Sequence, residues 1–159
     1  MLPDSTVSID DSRWPLRLER FVGTPTLRQY EDYLEECSAA LRRGEKYIAI
    51  TDLSRGGIPT PEQRQRQVLW LQEYESLMRE LLLGVAFVIT SPLVRLSVST
   101  VMHLKPMPVP YFITHREVDA VAWAGARLEE WGMRLAAERV RSQYGLPIRV
   151  YAAERIRSA

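Results

Sequence analysis

The chain has 159 residues, a length typical of one domain, and it is 46% hydrophobic and 26% charged, as ordinary globular proteins are. Twenty-one basic residues face twenty acidic ones, so the formal net charge of +1 lacks the basic excess typical of nucleic-acid-binding proteins. The single cysteine, Cys37, excludes an intramolecular disulfide and a zinc site built from cysteines. The sequence has no apolar run of about 20 residues and no N-terminal signal segment, so we expect a reducing bacterial cytoplasm.

The first part of the chain predicts a β-hairpin followed by a helix. Apolar and polar side chains alternate over residues 7–22, and the polar residues 10–12 predict the turn between the two strands. Thr26 and Gln29 have the spacing of a capping box, which predicts a helix start, and Gly44 predicts the end of that helix. The predicted inward stripe of this helix is Leu27, Tyr30, Leu34, Cys37 and Leu41.

The middle of the chain predicts two buried strands with a long helix between them. Short apolar runs at residues 47–52 and 85–90 are typical of strands covered on both faces. Thr60 and Gln63 form a second capping box, with Pro61 at the first helical position. The apolar pattern then continues to about residue 83, with Leu71, Tyr74, Met78, Leu81 and Leu82 inward.

The C-terminal part predicts one long final helix. Thr114 and Glu117 have capping-box spacing, and the helical pattern runs to about residue 144. Gly125 and Gly132 fall on the predicted buried stripe, which indicates a close approach to the sheet. Residues 148–151 predict a short edge strand.

The order of these elements predicts the fold class. Residues 92–104 add a short helix and residues 111–113 a last central strand, so the order is ββαβαβαβα. Strands that alternate with helical crossovers indicate a mostly parallel mixed sheet with about four packed helices. We expect a single α/β domain over residues 1–159, in which residues 145–159 are a C-terminal extension.

This order resembles the STAS domain, the fold of anti-sigma-factor antagonists and of sulfate-transporter tails. The best local match is residues 48–54, Ile-Ala-Ile-Thr-Asp-Leu-Ser, which are similar to the family's apolar strand ending in Asp-Leu-Ser. The SpoIIAA-like branch near lipid-binding CRAL-TRIO domains is a closer resemblance, because an arginine-containing helix, a phenylalanine strand and a tryptophan-bearing helix follow an apolar strand there. Arg95, Phe112 and Trp123 stand at those places in this chain.

The resemblance implies a non-catalytic bacterial regulatory module that works by protein–protein contact. STAS antagonists carry a phosphorylatable serine at the start of the next helix, usually within Asp-Ser-Ser-Gly. Residues 56–61 instead read Gly-Gly-Ile-Pro-Thr-Pro, so that acceptor motif is absent. Ser54 and Thr60 are the candidate phosphoacceptors that remain, although a capping role explains Thr60 without regulation.

The segment most suggestive of binding is residues 52–57, because open α/β sheets bind ligands beyond the carboxyl ends of their strands. Its two glycines allow a positive φ that aims backbone N–H groups at an anion, and its arginine offers a partner charge. The alternative is a plain turn from strand to helix, held by Asp52. The candidate partner-binding or anion-binding residues are Asp52, Ser54, Arg55, Gly56, Gly57 and Arg95.

The sequence contains no recognisable catalytic, metal or cofactor motif. The histidines, His103 and His115, lack metal-ligand spacing, and nothing resembling Gly-x-Ser-x-Gly supports a hydrolytic triad of Ser54, His115 and Asp52. Cys37 belongs to an apolar stripe and is expected to be buried and inert. We therefore expect no enzyme activity, no bound metal and no cofactor.

Three tryptophans are candidates for an interface. Trp123 lies nearly opposite the predicted core face of the last helix, Trp131 lies at the edge of that face, and Trp70 widens the apolar face of the second long helix. They indicate either a dimer or partner contact, or a surface covered by the chain's own termini. Nineteen of the basic residues are arginines, most of which can pair with glutamates along helices, except Arg55 and Arg95.

Other functions stay open beside the protein-contact module. A carrier of a small apolar or lipid-like ligand needs an apolar cavity between helices and sheet, and the width of the helical stripes argues against one. An anion-binding or nucleotide-binding enzyme is the third alternative. We expect a protein partner or a homodimer, and neither nucleic-acid binding nor membrane insertion.

Overall fold

Five strands form the central sheet of the computed structural model, which describes residues 5–146. The strands are β1 (Thr6–Arg13), β2 (Leu16–Gly23), β3 (Tyr47–Gly56), β4 (Leu82–Val88) and β5 (Tyr111–Thr114). They lie side by side in chain order, with β1 antiparallel to β2 and every other pair parallel. The predicted mostly parallel mixed sheet is confirmed.

Helices cover both faces of the sheet and make a three-layer α/β domain. One face carries α1 (Leu27–Arg42), α2 (Pro61–Leu81) and α3 (Pro92–Leu104), and the other carries α4 (Glu117–Glu130) and α5 (Arg134–Gln143). Each face has its own apolar core. Among the helices of residues 5–146, none is long and apolar enough to cross a membrane.

Two predicted capping boxes begin α1 and α2. The Oγ1 of Thr26 accepts a hydrogen bond from the backbone N–H of Gln29 at 3.1 Å, and the side chain of Gln29 accepts one from the Thr26 N–H at 2.8 Å. Thr60 and Gln63 repeat the arrangement at 3.2 and 3.1 Å. Because each box satisfies two backbone N–H groups that lack intrahelical partners, both helix starts follow from local sequence.

The predicted turn of the hairpin is wrong. Residues 10–12 belong to β1, and the chain reverses at Trp14 and Pro15, which are joined by a cis peptide bond. The Oδ1 of Asp10 accepts a hydrogen bond from the Ser12 N–H at 2.8 Å, at an irregularity in the pairing of β1 with β2. The turn-forming chemistry of this segment therefore makes a bulge within the strand.

The predicted single last helix is two helices, α4 and α5, with Gly132 between them at a φ of +73°. The capping box at Thr114 is also wrong, because its Oγ1 accepts from the Arg116 N–H at 3.2 Å and the helix begins only at Glu117. Gly125 allows a close approach to α5, not to the sheet, since a Cβ there would lie 3.1 Å from Nε of Arg141. The predicted edge strand at residues 148–151 and most of the C-terminal extension lie outside the described residues.

The two helical layers lie at different distances from the sheet. Helix α4 packs directly on β3, β4 and β5, where its small side chains Ala120 and Ala124 are fully buried. On the other face, α2 packs against α1 and against α3 more extensively than any of these three helices packs on a strand. Large aromatic and methionine side chains fill much of the space between these helices and the sheet.

Candidate functional site

The segment predicted as a binding loop, residues 52–57, is strand as far as Gly56. Strand β3 continues because β2 pairs with it beyond the apolar run, with Arg20 opposite Asp52 and Val22 opposite Arg55. The N–H of Gly57 then donates to the carbonyl oxygen of Gly23 at 2.9 Å. The prediction of a loop is therefore wrong for most of this segment.

The expectation that Gly56 and Gly57 form an anion-binding turn is also wrong, because neither has a positive φ. Gly57 is required for close packing: a Cβ there would lie 2.2 Å from Oγ1 of Thr24 and 2.8 Å from its backbone nitrogen. The N–H of Gly57 accordingly serves the sheet edge, and the two glycines do not form an anion cradle.

Asp52 organises the polar edge of the sheet. Its Oδ1 accepts hydrogen bonds from the N–H of Ser54 at 2.9 Å and from the Ser54 hydroxyl at 2.6 Å. Its Oδ2 lies 3.9 Å from Nη1 of Arg20, whose Nη2 donates to Oε1 of Glu117 at 2.7 Å. The cluster links β2, β3 and the start of α4, which is the holding role that the simpler interpretation gave to Asp52.

The two arginines singled out in the sequence, Arg55 and Arg95, are exposed, and neither side chain has a hydrogen-bond or ion-pair partner within residues 5–146. Arg55 lies near the end of β3 and Arg95 in the first turn of α3, which follows β4. Leu93 and Leu96, on either side of Arg95 in sequence, are 58% and 64% exposed. The outer face of α3 therefore combines apolar side chains with a free positive charge.

The two candidate phosphoacceptors differ in their surroundings. The Ser54 hydroxyl is half-buried and already donates to Asp52, so a phosphate there would lie against a carboxylate. Thr60 is exposed, and its hydroxyl oxygen caps the N-terminus of α2. A helix N-terminus favours negative charge.

The structure contradicts the predicted interface role of two of the three tryptophans. Trp70 is 7% exposed, and its Nε1 donates to Oγ of Ser38 at 2.9 Å, so this ring belongs to the core. Trp123 is half-buried and stacks on Phe112, and its Cη2 would lie 2.6 Å from a Cβ at Gly84. It therefore packs against the sheet instead of facing away from the core. Trp131 is 50% exposed and remains an interface candidate.

A cavity of about 180 Å³ lies between the sheet and helices α1, α2 and α3. Side chains from β2, β3 and β4 form its floor, and its lining includes aromatic and sulfur-containing side chains, among them Phe21, Tyr33, Trp70, Met78, Phe87 and Met102. The expectation of a core without a cavity is wrong, because helical stripe width does not fix the distance between a helical layer and a sheet.

A buried charged cluster borders this cavity and was missed in the sequence. Glu19 is 4% exposed and lines the cavity, and its Oε2 accepts a hydrogen bond from Nε of Arg17 at 3.0 Å. Its Oε1 accepts from the hydroxyls of Tyr33 at 2.9 Å and Thr51 at 2.8 Å. Arg17 and Glu19 are two residues apart in β2, so their side chains lie on the same face of the strand. Helices cover both faces of the sheet, so this spacing was the signal in the sequence for a buried charged pair.

Burial dominates the acid–base properties of this cluster. It raises the pKa of the Cys37 thiol, and the nearby charge of Glu19 raises it further. Burial likewise raises the pKa of the Tyr33 hydroxyl, and the neighbouring Cys37 and Glu19 raise it further. For Arg17, burial lowers the pKa more than any single neighbour raises it, but the charges of Glu19, Cys37 and Asp11 and the hydrogen bond to Glu19 together outweigh burial, so the net shift is upward. The thiol therefore stays protonated at neutral pH, as expected for an inert cysteine.

Within the part of the chain that the structure describes, no three histidine, cysteine, aspartate or glutamate side chains are grouped to hold a metal ion. His115 is exposed, and Ser54 donates its proton to Asp52. The Ser54 hydroxyl is thus bonded directly to Asp52, and among the described residues neither has a hydrogen bond to His115, so the order of a Ser-His-Asp relay is absent.

Several solved structures share this fold, whereas no family model and no curated protein matches the chain by sequence. A protein from Shewanella loihica of the DUF3478 family, described as having a SpoIIAA-like fold, aligns with a TM-score of 0.57 and 15% identity over 78% of this chain and 98% of its own. An anti-sigma factor antagonist from Mycobacterium paratuberculosis aligns with a TM-score of 0.51 and 14% identity over 76% of this chain and 94% of its own. The chain therefore has the STAS or SpoIIAA-like fold that its sequence resembles.

Proposed function

We propose that this STAS-like domain is a non-catalytic regulatory module that acts by binding a protein partner through the outer face of α3. The observation that carries the proposal is the exposure of Leu93 and Leu96 beside Arg95, whose charge is unpaired among the described residues. Exposed apolar side chains next to an arginine are typical of protein contact surfaces.

The position of α3 in the fold supports this surface. The helix follows β4, and β3 and β4 are parallel, so Arg55 and Arg95 both lie toward the carboxyl edge of the sheet. Open α/β sheets place their binding surfaces at that edge. One of the two structural relatives is an anti-sigma factor antagonist, a class of protein defined by action on another protein.

The non-catalytic part of the proposal rests on how the polar groups are used. Asp52, Ser54 and Arg20 hold the sheet edge together, and the Glu19 carboxylate is occupied by neighbours inside the core. Both structural relatives come from bacteria, in agreement with a regulatory module of a bacterial cytoplasm.

The test is affinity capture from the native lysate with three tagged proteins: wild type, Leu96→Glu and Leu135→Glu. Leu135 lies in α5 and is 76% exposed, so its variant carries the same change on the opposite helical layer. We expect one or more proteins to be captured by wild type and Leu135→Glu but not by Leu96→Glu. Identical capture by all three would overturn the proposal, and sedimentation of the same proteins tests whether the partner is a second copy of this chain.

A second function, binding of a small apolar ligand, is favoured by the cavity beneath α1, α2 and α3. Concave, mostly apolar sites with a few polar groups are typical of ligand-binding proteins. Native mass spectrometry of the freshly purified protein tests it. A co-purifying small molecule supports ligand binding, and a bare chain that also binds no added apolar compound argues against it.

A further inference from the structure

The cavity between the sheet and helices α1, α2 and α3 has the size and the walls of a site for one ring-shaped molecule. Its volume is about 180 Å³. In another protein, an engineered apolar cavity of roughly 150 Å³ binds benzene. Phe21, Trp70 and Phe87 offer ring contacts, and Met78 and Met102 offer polarizable sulfur that packs well against aromatic edges.

The charged groups around the cavity exclude an anion from its interior. The two oxygens of Glu19 receive hydrogen bonds from Arg17, Tyr33 and Thr51, and the thiol of Cys37 lies 3.6 Å from Oε2. A carboxylate has about four acceptor positions, so Glu19 has none left for a ligand, but its negative charge still faces the cavity. A ligand carboxylate in the same space would meet that charge at low dielectric.

Arg64 is the other charged residue in the cavity lining, and it is the place where an anionic head group would be expected instead. Its side chain is half-exposed, and its Nη1 already donates to the carbonyl oxygen of Pro59 at 3.2 Å. Solvent and salt weaken an attraction at such a position. Solvent screens buried Glu19 much less, and the Arg17 guanidinium that offsets part of its charge is shared with Asp11, so the described residues of the interior hold no free cation for a ligand anion. The balance favours an uncharged ligand.

Ser97 and Tyr47 line the cavity with hydroxyls that have no hydrogen-bond partner within residues 5–146, and Ser97 is the one that α3 supplies. Ser97 of α3 is 7% exposed and lines the cavity, and its hydroxyl has no hydrogen-bond partner within residues 5–146. The hydroxyl oxygen is not itself fully buried, so a polar group of a ligand would take a place that a water molecule can otherwise occupy. The hydroxyl can donate to or accept from a single polar atom on the ligand.

We propose that this cavity binds an uncharged, ring-sized aromatic molecule with one hydrogen-bonding group, which Ser97 engages, and that Glu19 excludes aromatic and aliphatic carboxylates. The proposal rests on the second function given above, ligand binding, and names the ligand's chemical class. It also assigns the specificity of the site to two residues, one attractive and one repulsive.

The experiment titrates the full chain with p-cresol, toluene, benzoate and octanoate by calorimetry, with thermal unfolding as a second readout because a ligand that binds the folded state raises Tm. The variants are Ser97→Leu, which fills the cavity, Ser99→Leu, which places the same change at an exposed position of α3, and Ser97→Ala, which removes only the hydroxyl. Val98→Phe fills the cavity from the neighbouring lining position if Ser97→Leu does not fold.

We expect p-cresol to bind the wild type and Ser99→Leu equally, and to bind Ser97→Leu at least ten-fold more weakly. In Ser97→Ala, p-cresol binding should weaken by about three- to ten-fold while toluene binding stays unchanged, because one hydrogen bond is lost. Neither carboxylate should bind measurably to the wild type. Stronger binding of octanoate or benzoate than of p-cresol, or p-cresol binding that survives Ser97→Leu and Val98→Phe, would overturn the proposal.

The same data separate this inference from the function on which it rests. A molecule that co-purifies with the chain while p-cresol and toluene fail to bind would reject the ligand class but keep ligand binding. Failure of all four probes together with a bare chain in native mass spectrometry would reject both. Loss of octanoate binding in Arg64→Gln would assign the site to an anionic amphiphile and would also contradict the proposal.

Discussion

Arg17 and Glu19 form a buried ion pair in β2, with 3.0 Å between Nε and Oε2 and side chains that are 1% and 5% exposed. Nη1 of Arg17 also lies 3.2 Å from the carboxylate of Asp11, while its Nη2 is buried without a hydrogen-bond partner in the described part of the chain. A buried pair of this kind repays its desolvation only while both charges are present.

Removing one member of this pair should destabilise the fold strongly. We expect Glu19→Ala to lower the free energy of unfolding by about 3–5 kcal/mol, because it leaves the Arg17 charge buried without its main partner. The double variant Arg17→Met, Glu19→Leu should recover most of that loss, since it also removes the unpartnered Nη2. Urea unfolding measures all three proteins, and a double variant less stable than Glu19→Ala would contradict this account.

Stability should fall at alkaline pH. Burial raises the pKa of Cys37 above its ordinary value of 9.0 and that of Tyr33 above 10.0, so the folded state holds these protons more tightly than the unfolded state. The stabilisation is complete below pH 9 and decreases as the pH rises above it, by up to about 1.4 kcal/mol per pH unit for each group.

Urea unfolding between pH 8 and 10.5 checks this dependence. Cys37→Ala serves as the control, because it removes the thiol and should move the onset of the decrease from about pH 9 to about pH 10, where Tyr33 begins to contribute. A free energy of unfolding that stays constant across this range in the wild type would show that these groups are not perturbed as described.

A negative charge should be tolerated at one candidate phosphoacceptor and not at the other. Ser54→Asp removes the hydroxyl donor to Asp52 and adds a second carboxylate beside it, so we expect a loss of about 1–2 kcal/mol. Thr60→Asp keeps a good capping side chain and adds negative charge at the N-terminus of α2, so we expect a change below about 0.5 kcal/mol. Chemical unfolding gives both values, and the reverse order would contradict the assigned roles of these hydroxyls.

Trp123 should matter for stability and not for assembly. Its ring stacks on Phe112 at 5.8 Å between centroids and covers the backbone at Gly84, so Trp123→Ala should cost about 3 kcal/mol. Sedimentation of the wild type and the variant should give the same oligomeric state. A dimer that dissociates in Trp123→Ala without loss of stability would restore this residue as an interface candidate.

The features of the fold that the sequence predicts correctly are those with local causes. Thr26 with Gln29 and Thr60 with Gln63 determine two helix starts by bonds that span three residues. The extension of β3 to Gly56 was missed because it depends on pairing with β2, far away in the sequence. The break at Gly132 was missed because the local apolar pattern continues across it.

The candidate site also combines features with local causes, which the sequence predicts, and features that depend on distant parts of the chain, which it does not. Exposure of Arg55 and Arg95 could be predicted from their places just beyond two apolar strands. The cavity could not, because its volume depends on how far the helical layer of α1, α2 and α3 stands from the sheet. Glu19 looks like a solvent-facing residue of an alternating strand until the helices that cover its face are in place.

The most direct measurement of the central claim, that α3 is the partner-binding surface, is site-specific photo-crosslinking in the native cell. A benzophenone amino acid replaces Leu96 in one protein and Leu135, exposed on the opposite layer, in the other. The account predicts a discrete cross-linked species at position 96 and none at position 135. Equal cross-linking at both positions, or a product only at position 135, would contradict it.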